Sequence, residues 1–374
     1  MFFGLIITLA ILSGQLIRLP FLGGGITMLD IVVIISCLYG LLKFKRPSQF
    51  PSFILAVLPF ILIAVISLLF TPLNLQLDEY FISSSYIIRF SFYILFGYLI
   101  SAGRFNSFQK QINNSLIFSG VSLAILGLLQ FIFLPDLGFL TKYGWDPHYF
   151  RTVSTFLDPN FAGAYFVLTL ILLINSRGKT SQFILIFLAL LTTFSRSSYL
   201  MFLVSSLTLS FLKRSKKTGI LAILLFLVLL LGFQAYTRLV SKPRNIDREQ
   251  SASFRLSTWQ QGIKIWQTYP ILGAGFNAYK YAVKENNLGD EQFLKSHGAT
   301  SNDSSLLSVA ATTGILGLIS YILFLGSLIK KGFKENSFLA ASVSGLLIHS
   351  IFANSLFFSP ILLWIILISS IPKK

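Results

Sequence analysis

Apolar residues gather in long runs along this chain, and short polar segments separate the runs. Each of twelve runs approaches the length that a helix needs to cross ~30 Å of hydrocarbon, with some shorter or tilted members. The pattern therefore predicts about twelve transmembrane helices. The runs cover residues 2–12, 28–42, 54–70, 81–101, 112–133, 160–173, 183–194, 197–212, 220–233, 304–328, 338–352 and 356–371.

The composition agrees with a membrane protein. Of the 374 residues, 54% are hydrophobic and 11% are charged, whereas a soluble domain carries roughly 25% charged residues. The chain has no evident repeat, low-complexity tract or soluble domain. We predict an all-α polytopic membrane protein in which residues 1–374 form a single membrane domain.

The net charge of +17 raises the question of nucleic-acid binding. If the twelve runs cross the membrane alternately, one side receives sixteen basic residues and a single acid, Glu335, while the other is close to neutral. This is the positive-inside pattern, which places both termini in the cytoplasm and predicts no nucleic-acid partner. The first run lacks a cleavage site and is expected to be retained. The sixteen residues are Lys43, Lys45, Arg46, Arg104, Lys110, Arg177, Lys179, Lys213, Arg214, Lys216, Lys217, Lys330, Lys331, Lys334, Lys373 and Lys374.

Two loops on the extracytoplasmic side are too long to be simple connections. They cover residues 134–159 and 234–302, and the second precedes the tenth predicted helix. Loops on a rigid scaffold commonly carry functional residues, so the site is expected on this side. Inside the second loop, four apolar residues at helical spacing predict a helix that lies along the membrane, packs against the bundle or forms a soluble cap. They are Phe254, Trp259, Ile263 and Trp266.

The usual catalytic signatures are missing from the sequence. It has no P-loop, no Rossmann glycine fingerprint, no HExxH and no CxxC pair. The three histidines, His148, His297 and His349, are far apart and form no metal-ligand spacing. We therefore predict no metal and no cofactor.

Two arginines stand at or inside predicted membrane helices. Arg196 lies in the turn "TTFSRSSYL", where its guanidinium and the N-terminus of the next helix would both attract phosphate; a snorkelling interfacial arginine is the alternative. Arg89 lies about eight residues into an apolar run, where a charge is costly and usually functional or paired. Asp30, also within a run, is its candidate partner in a structural ion pair.

Arg151 and Arg255 also have both ordinary and functional explanations. Arg151 precedes a turn at residues 158–160, where an Asp–Arg pair and a helix cap would account for it. Arg255 lies four residues before Trp259, where a solvated helix face would account for it. Together the four arginines suggest an outward-facing cationic pocket that suits a lipid-linked diphosphate.

The tenth run begins with "SNDSS", residues 301–305, which is a polar and acidic start for an apolar helix. Asn302, Asp303 and Ser304 are residue types that cap helix N-termini. A helix N-terminus at a membrane surface also attracts anionic ligands. A cap and a functional site are both open interpretations of this stretch.

Four stretches within residues 151–317 resemble the motifs of one family, in the same order. "RTVSTFLDPNFAGAYF" is similar to an Arg…Phe-x-x-Pro-Asn segment that opens a helix, and "SRSSYL" fits Arg-x-x-x-Leu. "RLSTWQQGIKIWQTYPILGAGFNAY" is similar to an Arg- and Trp-containing helix followed by Pro-x-x-Gly-x-Gly. The family's His-[Asn/Ser/Gln]-x9-Gly-x2-[Gly/Thr/Tyr] pattern corresponds to Asp303, Ser304, Gly314 and Gly317. The chain thus resembles the O-antigen ligase and O-antigen polymerase superfamily of integral-membrane glycosyltransferases.

The resemblance implies roles for the residues that match. Arg196 and Arg255 would bind the donor diphosphate, with Arg151 or Arg89 assisting. The family's histidine is thought to activate the acceptor hydroxyl, and Asp303 stands in its place. Asp303 as the base, His297 as the base, and Asp303 as a cap only are the three open interpretations; a free aspartate, with a pKa of about 3.9, is a weak base. Supporting roles are expected for Asn160, Trp259, Asn302, Ser304 and Gly314.

The function implied by the resemblance is transfer or polymerisation of glycan from a polyprenyl-diphosphate-linked oligosaccharide donor. The acceptor is a hydroxyl of a glycan or lipid core, and the site faces outward from the bacterial cytoplasmic membrane, among membrane lipids. The departure at Asp303 favours a polymerase over a strict ligase. The alternative is a transporter or flippase for an anionic or lipid-linked substrate, because Arg89 and Asp30 lie within apolar runs. A purely structural scaffold would leave the outer arginines unexplained.

Overall fold

The computed structural model describes residues 2–21, 24–42, 51–176, 178–241, 248–290, 293–294 and 297–371. Most of these residues are helical, and one short antiparallel hairpin interrupts the pattern. The helices in chain order are α1 Phe2–Ser13, α2 Met28–Leu42, α3 Ser52–Leu69, α4 Leu77–Ser101, α5 Asn106–Gln109, α6 Ile112–Phe133, α7 Pro159–Ser176, α8 Thr180–Thr193, α9 Arg196–Leu212, α10 Lys216–Tyr236, α11 Arg248–Thr268, α12 Tyr279–Glu285, α13 Ser305–Glu335, α14 Ser337–His349 and α15 Ser359–Ser369.

Each of the twelve predicted apolar runs coincides with one of these helices. Among the described residues, six helices are long and apolar enough to span a membrane, and they are α3, α4, α6, α7, α10 and α13. The prediction of a helical membrane protein is confirmed at this level. The count of twelve spans and the sides of the loops stay predictions. Of the basic residues assigned to the cytoplasm, Lys43, Lys45, Arg46, Arg177, Lys373 and Lys374 lie outside the described residues.

The connection between α1 and α2 is a hairpin that the sequence did not predict. Strands β1, Arg18–Phe21, and β2, Gly24–Thr27, pair antiparallel, with Arg18 opposite Thr27. A hydrogen bond of 2.9 Å from the Gln15 N–H to the Thr155 carbonyl fixes the chain just before β1. The hairpin is therefore held against the segment that leads into α7.

Helix α13 is interrupted at Gly314, whose φ of 64° and ψ of −165° are not helical. The segment at residues 270–275 docks into this break. The N–H of Ile315 donates to Pro270 O (2.9 Å), and the N–H of Ala274 donates to Ala311 O (2.9 Å). The backbone groups that the break removes from the helix are thus satisfied by the loop, as buried polar groups require. This docking accounts for the Pro-x-x-Gly-x-Gly motif.

The predicted apolar face of α11 is packed only in part: Trp259 and Trp266 are half-buried, and Trp259 packs against the ring of Phe352. Phe254 and Ile263 are 41% and 43% exposed, whereas Thr258, Gly262 and Ile265 are buried. The reason is a close approach to the start of α13: a Cβ at Gly262 would lie 2.7 Å from the Asn302 side chain. Small residues allow two backbones to come together, so the packed face of α11 includes Thr258 and Gly262 beside the half-buried tryptophans. Of the alternatives, α11 lies against the bundle.

Candidate functional site

A cavity of about 350 Å³ lies where the ends of several helices meet. Its walls come from six parts of the chain: the residues after α1, the middle of α4, the segment between α6 and α7, the first part of α11 with residues 276–277, the beginning of α13 with the residues before it, and the connection between α14 and α15. Both of the long predicted loops therefore contribute to one cavity. Residues that are more than two hundred positions apart in the sequence meet here.

The cavity wall carries both positive and negative side chains, which is unusual in so apolar a protein. Among the described residues, its basic side chains are Arg18, Arg89, Arg151 and Arg255, and its acidic side chains are Asp146, Asp158 and Asp303. His148, which is 8% exposed, also lines it. Such a mixture can bind an anionic group and hold a carboxylate beside it.

Two residues at the polar start of α13 have different roles: Ser304 caps the helix, and Asp303 lines the cavity. Ser304 is the N-cap: its hydroxyl accepts a hydrogen bond from the Leu307 N–H (3.4 Å). The carboxylate of Asp303 is therefore not the cap. It accepts a hydrogen bond of 3.0 Å from the Thr258 hydroxyl, and the residue lines the cavity. The interpretation of Asp303 as a cap only is not what the geometry shows.

Asn302 fixes the position of Asp303. Its side-chain amide donates to the Thr258 carbonyl and to the Tyr279 hydroxyl (3.1 Å), and its side-chain oxygen accepts from the Ser304 N–H (2.9 Å). Asn302 is fully buried, so these bonds are shielded from water. They join α11, α12 and α13 directly beneath the carboxylate.

The environment changes the acidity of Asp303. Burial raises the pKa of its carboxyl, while the charge of Arg255 and the hydrogen bond from Thr258 lower it, and the charge of Asp158 adds to the rise. The net effect is a pKa above the ordinary value, because removal from water disfavours the charged form. A carboxylate with a raised pKa is a better base than a free aspartate.

Asp146 is a second carboxyl on the same wall. Desolvation raises its pKa to about 6, the negative charges of Asp158 and Asp303 add to the rise, and Arg255 opposes it. The three aspartates and Arg255 therefore form one electrostatically coupled group.

Arg151 is held by the end of α8. Its Nε donates to the Thr193 carbonyl (2.8 Å), and the next residue, Thr152, donates its N–H to the Thr192 carbonyl (2.9 Å). The guanidinium is thus fixed through one nitrogen at the cavity wall.

The segment on both sides of Arg151 has a strained backbone. Phe150, Ser154 and Leu157 have φ values of 50°, 53° and 57°, in the left-handed region that non-glycine residues rarely adopt. Asp158 then accepts hydrogen bonds from the N–H groups of Asn160 (2.6 Å) and Phe161 (3.1 Å), which caps α7. The predicted turn and helix entry at residues 158–160 are confirmed. Clusters of strained residues are common at binding sites.

Arg89 and Asp30 form the predicted ion pair, with 3.9 Å between a guanidinium nitrogen and a carboxylate oxygen. Arg89 also lies over the ring of Tyr86, 4.2 Å from its centroid. The arginine lines the cavity while the aspartate is buried behind it. Both interpretations of Arg89, as a paired residue and as a residue of the site, are compatible with this position.

Comparison with known families finds a match for part of the chain that carries this cavity. Residues 182–322 match the O-antigen ligase family. The predicted resemblance to the O-antigen ligase and polymerase superfamily is confirmed for this part of the chain. A comparison with curated proteins found no match.

The O-antigen ligase region contributes only part of the cavity. It runs from α8 into α13 and supplies Arg255, Phe276, Asn277, Asn302 and Asp303 to the lining. Arg89, Arg151 and Asn160 come from outside the matched residues. The family match alone therefore does not define the whole site.

The structure separates the predicted site residues into two groups. Those on the cavity wall are Arg89, Arg151, Asn160, Arg255, Asn302 and Asp303. Four others lie outside the lining. Arg196 is exposed, and the central carbon of its guanidinium lies 5.6 Å from the centroid of the Phe233 ring. The ring centroid of Trp259 lies 6.0 Å from that of Phe352, which does line the cavity. Ser304 caps α13, and Gly314 forms its break.

His297 begins a 3-10 turn, His297–Thr300, and its side chain lies outside the described residues. Its candidacy as the base therefore stays a prediction.

Sequence reasoning missed three residues of the cavity. Asp146 and His148 lie in the segment "YGWDPHYF" of the first long loop, whose mixture of aromatic and charged residues was the available signal. Arg18 carried no signal, because it follows the first apolar run like any flanking charge. Only the hairpin brings it to the cavity.

Removing the Thr258 hydroxyl is expected to shift the pH dependence of activity. Thr258→Val keeps the buried shape but deletes the hydrogen bond that stabilises the Asp303 carboxylate, so the pKa of Asp303 rises further. A base is active when deprotonated, and activity therefore falls as the pH drops through that pKa. The acid limb of the rate profile should move to higher pH in Thr258→Val, and Thr258→Ser should restore it. An unmoved acid limb would separate Asp303 from the rate-limiting proton transfer.

Proposed function

We propose that this protein transfers glycan from a polyprenyl-diphosphate-linked donor to a hydroxyl acceptor within this cavity. The family match indicates membrane glycan transfer of the O-antigen ligase type, which is a glycosyltransferase-like activity. The observation that carries the proposal is the Asp303 carboxylate, positioned by Thr258 and Asn302 on a wall that also bears arginines. An acceptor base and a diphosphate-binding surface are the two groups that this reaction needs.

In the proposed reaction, the acceptor hydroxyl attacks the anomeric carbon of the donor glycan. A new carbon–oxygen bond forms, the bond from that carbon to the diphosphate breaks, and the diphosphate leaves with the electron pair. The hydroxyl proton passes to the Asp303 carboxylate. Arginines stabilise the charge that develops on the leaving diphosphate, which lets the reaction proceed without a metal. A single displacement of this kind inverts the configuration at the anomeric carbon.

Arg255 and Arg151, which line the same cavity as Asp303, are the proposed residues that bind the donor diphosphate. Arg89 would assist them in binding it. Arg255 is close enough to lower the pKa of both Asp303 and Asp146. It would therefore hold the base in its charged form as well as attract the diphosphate. Arg196, predicted from the motif, has an exposed position that suits an interfacial arginine, and its role at the donor stays a prediction.

We place the reaction at the outer face of the bacterial cytoplasmic membrane, with both termini in the cytoplasm. The charge distribution of the predicted loops supports this orientation. The aspartate at the position of the family's histidine favours a polymerase over a strict ligase. The acceptor would then be another lipid-linked glycan.

The alternative, a transporter or flippase, rested on the Arg89–Asp30 pair inside the membrane. Asp30 accepts four hydrogen bonds, two from Thr27 and one each from Tyr93 and Ser359. These bonds make Asp30 a structural anchor of the hairpin. The pair therefore gives little support to a transport path, and glycan transfer is favoured.

Glycan analysis of a complemented deletion strain tests the proposal. Arg255→Gln should reduce long-chain surface glycan by roughly 10-fold or more, the scale expected when a charge-assisted bond of 1.5–3 kcal/mol is lost. Arg238→Gln, an exposed arginine outside the cavity lining, is the matched control. Single repeats on the final acceptor would identify a polymerase, and long chains stranded on the lipid carrier would identify a ligase. Unchanged glycans in Arg255→Gln would refute the arginine site.

A further inference from the structure

The hairpin residue Arg18 has a position that no family motif explains. We infer that Arg18 and Arg89 together form a second wall of the cavity, which binds the diphosphate of the substrate in addition to Arg255 and Arg151. This inference rests on the proposed function and adds to it a binding residue from the N-terminal part of the chain, outside the region that matches the family.

Two contacts fix Arg18 at the cavity. On one side, the Gln15 N–H donates to the Thr155 carbonyl (2.9 Å), which ties the chain before β1 to the segment that leads into α7. On the other side, Arg18 pairs in the hairpin with Thr27. The N–H and the hydroxyl of Thr27 both donate to Asp30, at 3.0 and 2.8 Å. The hairpin is thus anchored at both of its ends.

The same aspartate brings Arg89 to this wall. Asp30 lies between Thr27 and Arg89, 3.9 Å from the guanidinium. The four hydrogen bonds that Asp30 accepts come from other residues. At 3.9 Å, the Arg89 guanidinium lies beyond hydrogen-bond distance of the Asp30 carboxylate. Arg89, half-buried and stacked on Tyr86, is left to present N–H donors to the cavity. Arg18 and Arg89 therefore share one wall through a common anchor.

Charge balance distinguishes this wall from the rest of the cavity. Arg255 interacts with Asp303 and Asp146, so part of its charge is compensated. Arg89 is compensated in part by Asp30. Among the described residues, no carboxylate forms an ion pair with Arg18. Arg18 therefore adds positive charge to the wall that it shares with Arg89, and an anionic substrate group is attracted there.

Gly25 provides a way to move Arg18 without removing its charge. The Arg18 side chain crosses directly over Gly25: a Cβ at that position would lie 1.7 Å from the Arg18 Nε. In Gly25→Ala the guanidinium must move aside. The flexible arginine absorbs this change more easily than backbone would, so the hairpin is expected to remain folded.

Binding of undecaprenyl diphosphate to the purified full-length protein tests the inference. The protein is placed in phosphatidylcholine nanodiscs, so that the probe is the only anionic lipid, and undecaprenol is the uncharged comparison. We expect Arg18→Gln to weaken diphosphate binding by roughly 10-fold or more, since charge-assisted bonds are lost. Undecaprenol binding should not change. Arg18→Lys should retain part of the affinity, and the control Arg238→Gln all of it.

Gly25→Ala should weaken diphosphate binding as well, and the double variant with Arg18→Gln should bind no more weakly than Arg18→Gln alone. This non-additivity is expected if both changes act through the same guanidinium. Equal losses of diphosphate and undecaprenol binding would indicate a disturbed fold and overturn the assignment of an anion-binding role.

The outcomes separate this inference from the proposed function. The wild type is expected to bind the diphosphate more tightly than undecaprenol. If Arg255→Gln loses this preference but Arg18→Gln keeps it, the Arg18–Arg89 wall is refuted. The proposal that the cavity binds the donor would still stand. If the wild type shows no preference for the diphosphate, the proposed donor site itself fails.

Discussion

Asp303→Asn is expected to lower the rate of glycan transfer by roughly 10²–10⁴-fold, the usual contribution of a general base. The amide is nearly the same size as the carboxylate and still accepts a hydrogen bond from Thr258, so the fold around Asn302 should be retained. It has no charge with which to take the acceptor proton. The measurement is the initial rate of transfer from a lipid-linked donor, together with the Tm of the purified variant.

Two further variants sharpen the test of Asp303. Asp78→Asn removes an exposed carboxylate in the first turn of α4, outside the cavity lining, and should leave the rate unchanged. Asp146→Asn probes the second carboxyl of the cavity. If Asp303→Asn stays active while Asp146→Asn is inactive, the base is Asp146 and the role derived from the family's histidine position is incorrect.

Gly314→Ala is expected to destabilise the protein by roughly 3 kcal/mol or more, since two separate costs combine. The φ of 64° is unfavourable for any residue with a Cβ. In addition, the new Cβ would lie 2.1 Å from the Ile271 carbonyl oxygen, which is backbone and cannot rotate away. The docked segment at residues 270–275 would be displaced from the break in α13. A lower Tm and faster proteolysis of the segment around α11 and α12 would report this.

Gly326→Ala is the matched control, because Gly326 lies in the same helix with open space around its Cβ position. Alanine is the better helix former by about 1 kcal/mol, so this variant should be as stable as the wild type or slightly more so. Similar Tm values for the two alanine variants would mean that the break in α13 is not structurally required.

The break in α13 also matters for the position of the site. It lies ten residues after the N-cap Ser304, and the segment that fills it continues into Phe276 and Asn277, which line the cavity. The Phe276 N–H is itself fixed by the Ser67 hydroxyl of α3 (2.9 Å). The glycine motif of the large loop therefore acts by shaping the cavity wall, and none of its glycines needs to contact the substrate.

Local sequence patterns were sufficient for much of the helical framework. Hydrophobic length alone located every apolar helix, because a helix satisfies its own backbone and needs only an apolar surface in a membrane. The cap residues at the start of α13 were also readable, since capping depends on neighbours within three positions. The order of motifs from Arg151 to Gly317 was enough to predict the superfamily that residues 182–322 match.

Which residues form the site depends on contacts between distant segments, and no local sequence pattern predicts these contacts. Arg18 reaches the cavity through a hairpin whose anchor, Asp30, also binds Ser359 near the other end of the chain. The packed face of α11 includes Gly262, which lies against Asn302 and which the apolar periodicity did not mark. Arg196, prominent in the motif, lies outside the lining, while Asp146 joins it from another loop. The apolar runs of the chain thus determined where helices form. Only tertiary packing decided which polar residues between the helices meet in the cavity. The reason is that contacts between these polar residues join distant segments of the chain and depend on how closely the backbones approach.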